Sequence, residues 1–183
     1  MKLRLIQTNC SAINSIYVYE NFLEDLSYLN ILKNKIIEYT KTGELDYKTN
    51  VLAKMTGWKK LLEDDDFNRI HQNIIHTLYN IINMRNPTPN EEIAFGYRDS
   101  WGMSHGEGDY TKDHIHNFSH FSGSFYFEVP TTTRMWFEDY QEEIELKDNM
   151  LVLFPGLTKH RVTAHTGEKQ RHSMAFNLDL KVV

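Results

Sequence analysis

Cysteine is almost missing from this chain: Cys10 stands alone among 183 residues. One thiol excludes an internal disulfide and any cluster of thiolate metal ligands, and it fits a reducing compartment. An excess of positive charge is missing too. Twenty Lys and Arg against 25 Asp and Glu leave a formal net charge of −5 and an isoelectric point near 6.0, which gives no electrostatic footprint for wrapping nucleic acid. Nucleic acid is therefore not an expected partner. No apolar run is long enough to cross a bilayer, and the basic start MKLRLIQTNC carries no apolar stretch of the kind that directs export. A cytoplasmic protein without a membrane partner is the expectation. With no internal repeat or low-complexity linker, a composition of 40% hydrophobic and 25% charged residues suits one domain with a sizeable core.

What is present changes character midway. The first half reads as mainly helical after a strand at Ser15 to Tyr19 (SIYVY). From Glu20 to Tyr39 the residues Phe22, Leu26, Leu29, Ile36 and Ile37 fall near helical spacing, with Gly43 as the stop. A second helix begins after Asp64-Asp65-Asp66, where acidic side chains suit the positive end of the helix dipole. Its stripe is Phe67, Ile70, Ile74, Leu78, Ile81 and Ile82, and Asn86-Pro87 ends it. The acidic run reads as a helix start before it reads as a metal site, and His71 and His76 read as structural or solvated. Thr49 to Leu62 fits neither period, with Gly57-Trp58 against the core or over a cleft.

From Glu92 onward short strand signals follow one another: Ile93 to Trp101, Tyr110 to His116, Phe121 to Val129, Met135 to Glu138, Glu143 to Leu146, Met150 to Phe154, His160 to Thr166 and Arg171 to Val182. Turns rich in Gly, Pro, Asp, Asn or Lys separate them. The expected fold class is α+β: a double-stranded β-helix, or jelly roll, with N-terminal helices packed on one sheet. Residues 1–183 form one domain in this reading, 1–90 mainly helical support and 91–183 the jelly-roll core.

Seven of the nine histidines lie between His105 and His172. Within GDYTKDHIHNFSHFSGS, His114 and His116 are two residues apart in an extended-looking segment, so alternation sets them side by side. Two neutral imidazoles so placed can share a metal ion, and imidazole suits iron, zinc, copper and nickel alike. Standing alone, such a pair is as often two histidines on a solvated face. A third ligand must come from elsewhere. The buried-type run MLVLF ends at Pro155-Gly156, and His160 follows that turn. Farther on, alternation in RHSMAFNLDL puts Arg171, Ser173, Ala175 and Asn177 on one face and His172, Met174, Phe176 and Leu178 on the other. A guanidinium beside a hydroxyl is a bidentate carboxylate receptor.

The order of these motifs resembles the 2-oxoglutarate- and Fe(II)-dependent oxygenase superfamily. That family places a His-x-Asp/Glu pair, a distal His several strands later and an Arg-x-Ser soon after. The matching positions are His114-Ile115-His116, His160 and Arg171-His172-Ser173. The stretches HIHNFSHFSGSFYFEVP, LVLFPGLTKHRV and RHSMAFN look like the prolyl-hydroxylase-like branch of bacterial and phage type, and the resemblance covers Trp101 to Leu178. It implies Fe(II) held by His114, His116 and His160. It further implies 2-oxoglutarate as cosubstrate, chelating the metal at one end and anchored at the other by Arg171 with help from Ser173. The activity implied is dioxygenase chemistry: hydroxylation of a C–H bond in a peptide or small-molecule substrate, with O2 consumed and succinate and CO2 released. Tyr126 shares strand parity with Ser124 and is a candidate to reach the cosubstrate with its phenol. Trp101, Trp136 and Tyr110 are candidates for the substrate mouth. One departure stands out: His116 occupies the place of the family's carboxylate. Asp113 is the nearest spare carboxylate, but alternation aims it away from His114.

Two other readings stand beside this one. Gly108 precedes His114 at a cupin-like distance, yet Asn117-Phe118-Ser119-His120-Phe121 supplies no Glu and a cupin leaves Arg171 unexplained. A non-catalytic jelly-roll binding module is the other, kept open by the missing carboxylate. The substrate itself is not encoded in any readable loop motif.

Overall fold

The computed structural model describes residues 1–7, 14–42, 49–85 and 93–182. Cys10 and the expected helix stops at Gly43 and Asn86-Pro87 lie outside the described residues. In chain order the elements are β1 (Lys2–Gln7), β2 (Ser15–Glu20), α1 (Leu26–Lys41), β3 (Val51–Leu52), β4 (Lys54–Met55), α2 (Asn68–Arg85), β5 (Ile93–His105), β6 (Tyr110–His114), β7 (Phe121–Glu128), β8 (Arg134–Phe137), β9 (Glu142–Glu145), β10 (Met150–Pro155), β11 (His160–Val162) and β12 (Arg171–Val182). They build two antiparallel sheets, one ordered β1-β2-β10-β7-β12-β5-β4 and the other β3-β6-β11-β8-β9. Two sheets with the helices on one of them make the expected jelly-roll architecture.

Strand alternation assigns each side chain of the larger sheet to one of two cores. Ile16 and Val18 of β2, Tyr126 of β7 and Met150, Val152 and Phe154 of β10 face the smaller sheet, meeting Met135, Phe137, Ile144 and Val162. Their neighbours Tyr17, Tyr19, Phe125, Phe127, Leu151 and Leu153 point the other way, toward Leu29, Leu32 and Ile36 of α1 and Ile70, Ile74 and Leu78 of α2. Because both faces of this sheet are covered, β10 reads as the unbroken apolar run MLVLF. Each such buried side chain contributes roughly 1.5–3 kcal/mol.

α1 starts at Leu26, later than the apolar spacing from Glu20 implies. Asn21 takes φ +53°, and Asn149 then holds the chain by accepting from Leu23 N at 2.8 Å and donating to Leu23 O at 2.8 Å. Asp25 caps the helix by accepting from Tyr28 N at 3.0 Å. Phe22 therefore enters the core from a loop, while Leu26 is exposed. Ahead of α2, Asp64 accepts from Asp66 N at 3.0 Å and from Lys35 Nζ and Tyr39 Oη of α1 at 2.9 and 2.6 Å. The acidic run thus caps a turn and ties the two helices together. No helix among the described residues is long and apolar enough to cross a membrane.

The first half also contributes strands that its sequence did not announce. β1 pairs along its length with β2, and the ambiguous segment supplies β3 and β4, which add to one sheet each. Strands of two residues carry no periodicity to detect. Gly123 of β7 is crowded by its own sheet neighbours: a Cβ there would lie 2.6 Å from Val152 O and 2.5 Å from Phe176 Cζ. Gly123→Ala is expected to destabilise the protein by about 1–3 kcal/mol through overpacking. A lowered denaturant midpoint at unchanged m-value checks this, and an unchanged midpoint would show that the sheet yields there.

Candidate functional site

β6 and β11 pair so that His114 stands directly opposite His160. The two rings are 4.3 Å apart between centroids. His116 arrives differently from the expectation. β6 ends at His114, so strand alternation does not place the second imidazole. His116 belongs to the following loop, docked by its backbone N–H donating to Gly156 O at 2.7 Å, while Gly156 N donates to His120 O at 3.1 Å. Gly156 is indispensable to that docking, since a Cβ on it would collide with Ser119 O. The His116 ring comes to 4.9 Å from His114 and 5.2 Å from His160. One ligand atom from each of the three lies within 4.8 Å of the others.

The tautomers follow from the backbone. Nδ1 of His114 pairs with Lys112 O at 2.8 Å and Nδ1 of His160 with Thr158 O at 2.9 Å. A carbonyl only accepts, so each Nδ1 carries the proton and each Nε2 keeps a lone pair. Burial pushes all three imidazoles toward the neutral form: His116 down to about 3, His114 below the ordinary histidine value and His160 well below it. Three neutral nitrogen donors converging on one point fit a divalent transition metal. Asp113 faces outward and pairs with Arg161 Nη1 at 3.3 Å.

Between the sheets, the same imidazoles form one wall of a narrow inner cavity. Across it, β12 presents Arg171 and Ser173, and Ser173 stands opposite Tyr126 of β7. Arg171 is 1% exposed. Its Nε and Nη1 have no hydrogen-bond partner, nor has Ser173 Oγ, and no carboxylate among the described residues ion-pairs with the guanidinium. Tyr126 is buried, and its phenol is pushed up to about 12 by that burial, against the opposing pull of Arg171 and Ser124. It is a protonated donor at neutral pH. The six residues picked from the sequence therefore line one cavity, His114, His116 and His160 together with Arg171, Ser173 and Tyr126.

Of the aromatic candidates for the mouth, Trp101 lines the inner cavity and a wider outer cleft that meets it at His114 and His116. Trp58, from the ambiguous segment, packs edge-on against Trp101 at 4.7 Å and also lines that cleft. Trp136 instead lies under the Arg161 guanidinium, and neither it nor Tyr110 lines either space. Sequence reasoning missed His105. It ended the strand at Trp101, whereas β5 continues through Met103 to His105 on the same face, and that alternation in WGMSH was the available signal.

Because the buried imidazoles hold their folded-state pKa below the unfolded value near 6.5, the unfolded chain binds more protons in that window. Stability of the metal-free protein is expected to fall as pH drops from about 6.5 toward 3, with His116 contributing up to about 1.4 kcal/mol per pH unit. Chelator-treated wild type and His116→Gln, compared by denaturant titration, check this: the variant loses part of the slope, and identical slopes would contradict it. Gly156→Ala is expected to weaken metal affinity at least tenfold in a chelator competition while His160's strand stays paired.

No family model and no curated protein matches this chain. Solved structures do. A Pseudomonas putida prolyl-4-hydroxylase is 16% identical with TM-score 0.64, over 88% of this chain and 91% of that one. The viral collagen prolyl hydroxylase from Paramecium bursaria Chlorella virus-1, in its 2OG complex, is 12% identical with TM-score 0.64, over 89% and 94%. The epimerase SnoN, in complex with Fe3+, alpha-ketoglutarate and nogalamycin RO, is 11% identical with TM-score 0.69, over 90% and 78%. At these identities the likeness is one of fold: this chain has the two-sheet jelly roll of those proteins over nearly its whole length.

Proposed function

We propose that this chain is a 2-oxoglutarate-dependent dioxygenase whose iron is held by His114, His116 and His160. The observation that carries the reading is the unpaired Arg171 guanidinium facing the cavity that the three imidazoles close. A buried ion without a partner costs several kcal/mol, on the order of the whole price of breaking a buried pair. The residues present fit the missing partner: an anionic group at the Arg171 end and a metal at the other describe a metal-chelating dicarboxylate. The names of the structural neighbours, two prolyl hydroxylases and an alpha-ketoglutarate-dependent epimerase, support the same choice.

When bound, Fe(II) would activate O2, the oxidant, with 2-oxoglutarate giving two electrons as it loses CO2 to become succinate and the substrate C–H bond giving the other two as it becomes C–OH. The protein's own part is to hold and to exclude. Nε2 of His114 and His160, with the His116 ring, would hold the metal. Arg171 takes the distal carboxylate through its fork of N–H groups, and Ser173 and Tyr126 add hydroxyl donors. His116 in place of a carboxylate changes the charge balance. A dication, the Arg171 cation and a dianion sum to +1, where an anionic ligand would give zero. Cosubstrate is therefore bound more by the charge of this site than in a two-His, one-carboxylate arrangement. The walls of the inner cavity keep water from the chelate, and the outer cleft, lined by Trp58, Trp101, Ile115 and Asp99, receives a peptide or small-molecule substrate. A cupin reading gives Arg171 nothing to do.

Anaerobic addition of Fe(II) and 2-oxoglutarate is expected to produce a weak visible charge-transfer band. Arg171→Ala should raise the 2-oxoglutarate concentration needed by about 30-fold or more, from the roughly 2–5 kcal/mol cost of truncating one member of a buried charge pair. In air, slow succinate formation should be lost in His160→Ala. Equal succinate from both proteins would overturn the assignment.

A further inference from the structure

Four buried or half-buried histidines lie away from the three proposed ligands, and three of them are satisfied. His71 Nε2 pairs with Ser100 Oγ at 2.9 Å, His172 Nδ1 with Ser104 Oγ at 2.8 Å, and His165 Nε2 with Lys169 O at 2.7 Å. His105 is the exception. It is 1% exposed, and neither ring nitrogen has a hydrogen-bond partner. Leaving a buried donor unpaired costs about 1–3 kcal/mol, so the position is poorly explained as core packing. Its placement is informative: His105 is the cross-strand partner of Arg171 in the β5–β12 ladder, and both line the inner cavity. Met103 and Trp101 follow on the same face of β5, opposite Ser173 and Ala175.

We infer that His105 is a binding residue for the distal carboxylate of the dicarboxylate cosubstrate, donating a ring N–H beside the Arg171 fork and the Ser173 hydroxyl. The inference rests on the dioxygenase reading above. A carboxylate has about four lone-pair sites. Arg171 Nε and Nη1, Ser173 Oγ and one His105 nitrogen are the matching set of unpaired polar atoms. Burial and the adjacent guanidinium both hold the His105 imidazole well below its ordinary pKa, so it brings a hydrogen bond without a second charge. The receptor then carries a single positive charge, matched to a single distal carboxylate. The role is one of selection: the third donor recognises the far end of the ligand and leaves the metal-chelating end alone.

The test is calorimetry on Mn(II)-loaded protein under argon, with two ligands that share the 2-oxo acid end: 2-oxoglutarate, and 2-oxopentanoate, which has no distal carboxylate. His105→Leu is expected to weaken 2-oxoglutarate binding about 10-fold to 100-fold, the range for a hydrogen bond to a charged group, while leaving 2-oxopentanoate affinity and Mn(II) stoichiometry unchanged. His105→Gln, which restores an N–H, should recover most of the lost affinity. Ligand-free His105→Leu should melt no lower than wild type, because an unpaired polar group is exchanged for an apolar one. Wild-type affinity for 2-oxoglutarate in His105→Leu, or an equal loss for both ligands, would overturn the inference. Failure of the wild type itself to bind 2-oxoglutarate would instead overturn the dioxygenase reading, and this one with it.

Discussion

A guanidinium sealed between two sheets, with no carboxylate among the described residues in ion-pair contact, is the constraint on which the rest of this molecule depends. Arg171 is among the largest fully buried side chains, and two of its nitrogens have no partner. A fold tolerates that only if the surrounding layers are stable enough to absorb the cost and if a ligand regularly removes it. The first condition is visible in the strand pairing. β12, which carries Arg171, is paired along its length with β5 and for most of it with β7. Its opposite face, Met174, Phe176 and Leu178, is locked into the helix-covered core. The apolar side of one strand thus holds its polar side in an unfavourable place.

The same ladders set the spacing of the site. Register puts His105 and Met103 opposite Arg171 and Ser173, with Tyr126 opposite Ser173 from the other side. On the smaller sheet, register puts His114 opposite His160. Functional groups held by strand pairing are fixed more tightly than groups on loops. His116 is the member held by a loop, and its anchor is a backbone contact with Gly156 that admits no side chain. These groups cost stability: neutral buried imidazoles, an unpaired imidazole at His105 and two unpaired guanidinium nitrogens each favour unfolding of the ligand-free protein.

Much of this was legible in the sequence where period two was long enough to read. The two faces of Arg171 to Leu178 were separable by alternation alone, and the turn at Pro155-Gly156 pointed to His160 as the histidine returning toward His114. The helix stripes were legible too, but their starts were not, because a long-range clasp by Asn149 on Leu23 overrides local spacing around Phe22. His116 was placed beside His114 for the wrong reason: strand parity predicted the proximity, and a loop docked on Gly156 produces it. β3 and β4 were invisible because two residues show no period, although Gly57-Trp58 beside them was read as lying against the core or over a cleft, and Trp58 lines the outer cleft. His105 was lost by ending one strand too soon. Trp136 was misassigned because an aromatic on a short strand can face either way, and here Arg161 covers it from outside.

The most direct test of the central claim is anomalous diffraction from crystals grown with Fe(II) and 2-oxoglutarate without oxygen. The account predicts a single iron peak within bonding distance of Nε2 of His114 and His160 and of the His116 ring. It also predicts dicarboxylate density running from that peak to the Arg171 guanidinium. Iron bound elsewhere, or a dicarboxylate that leaves Arg171 unpaired, would contradict it.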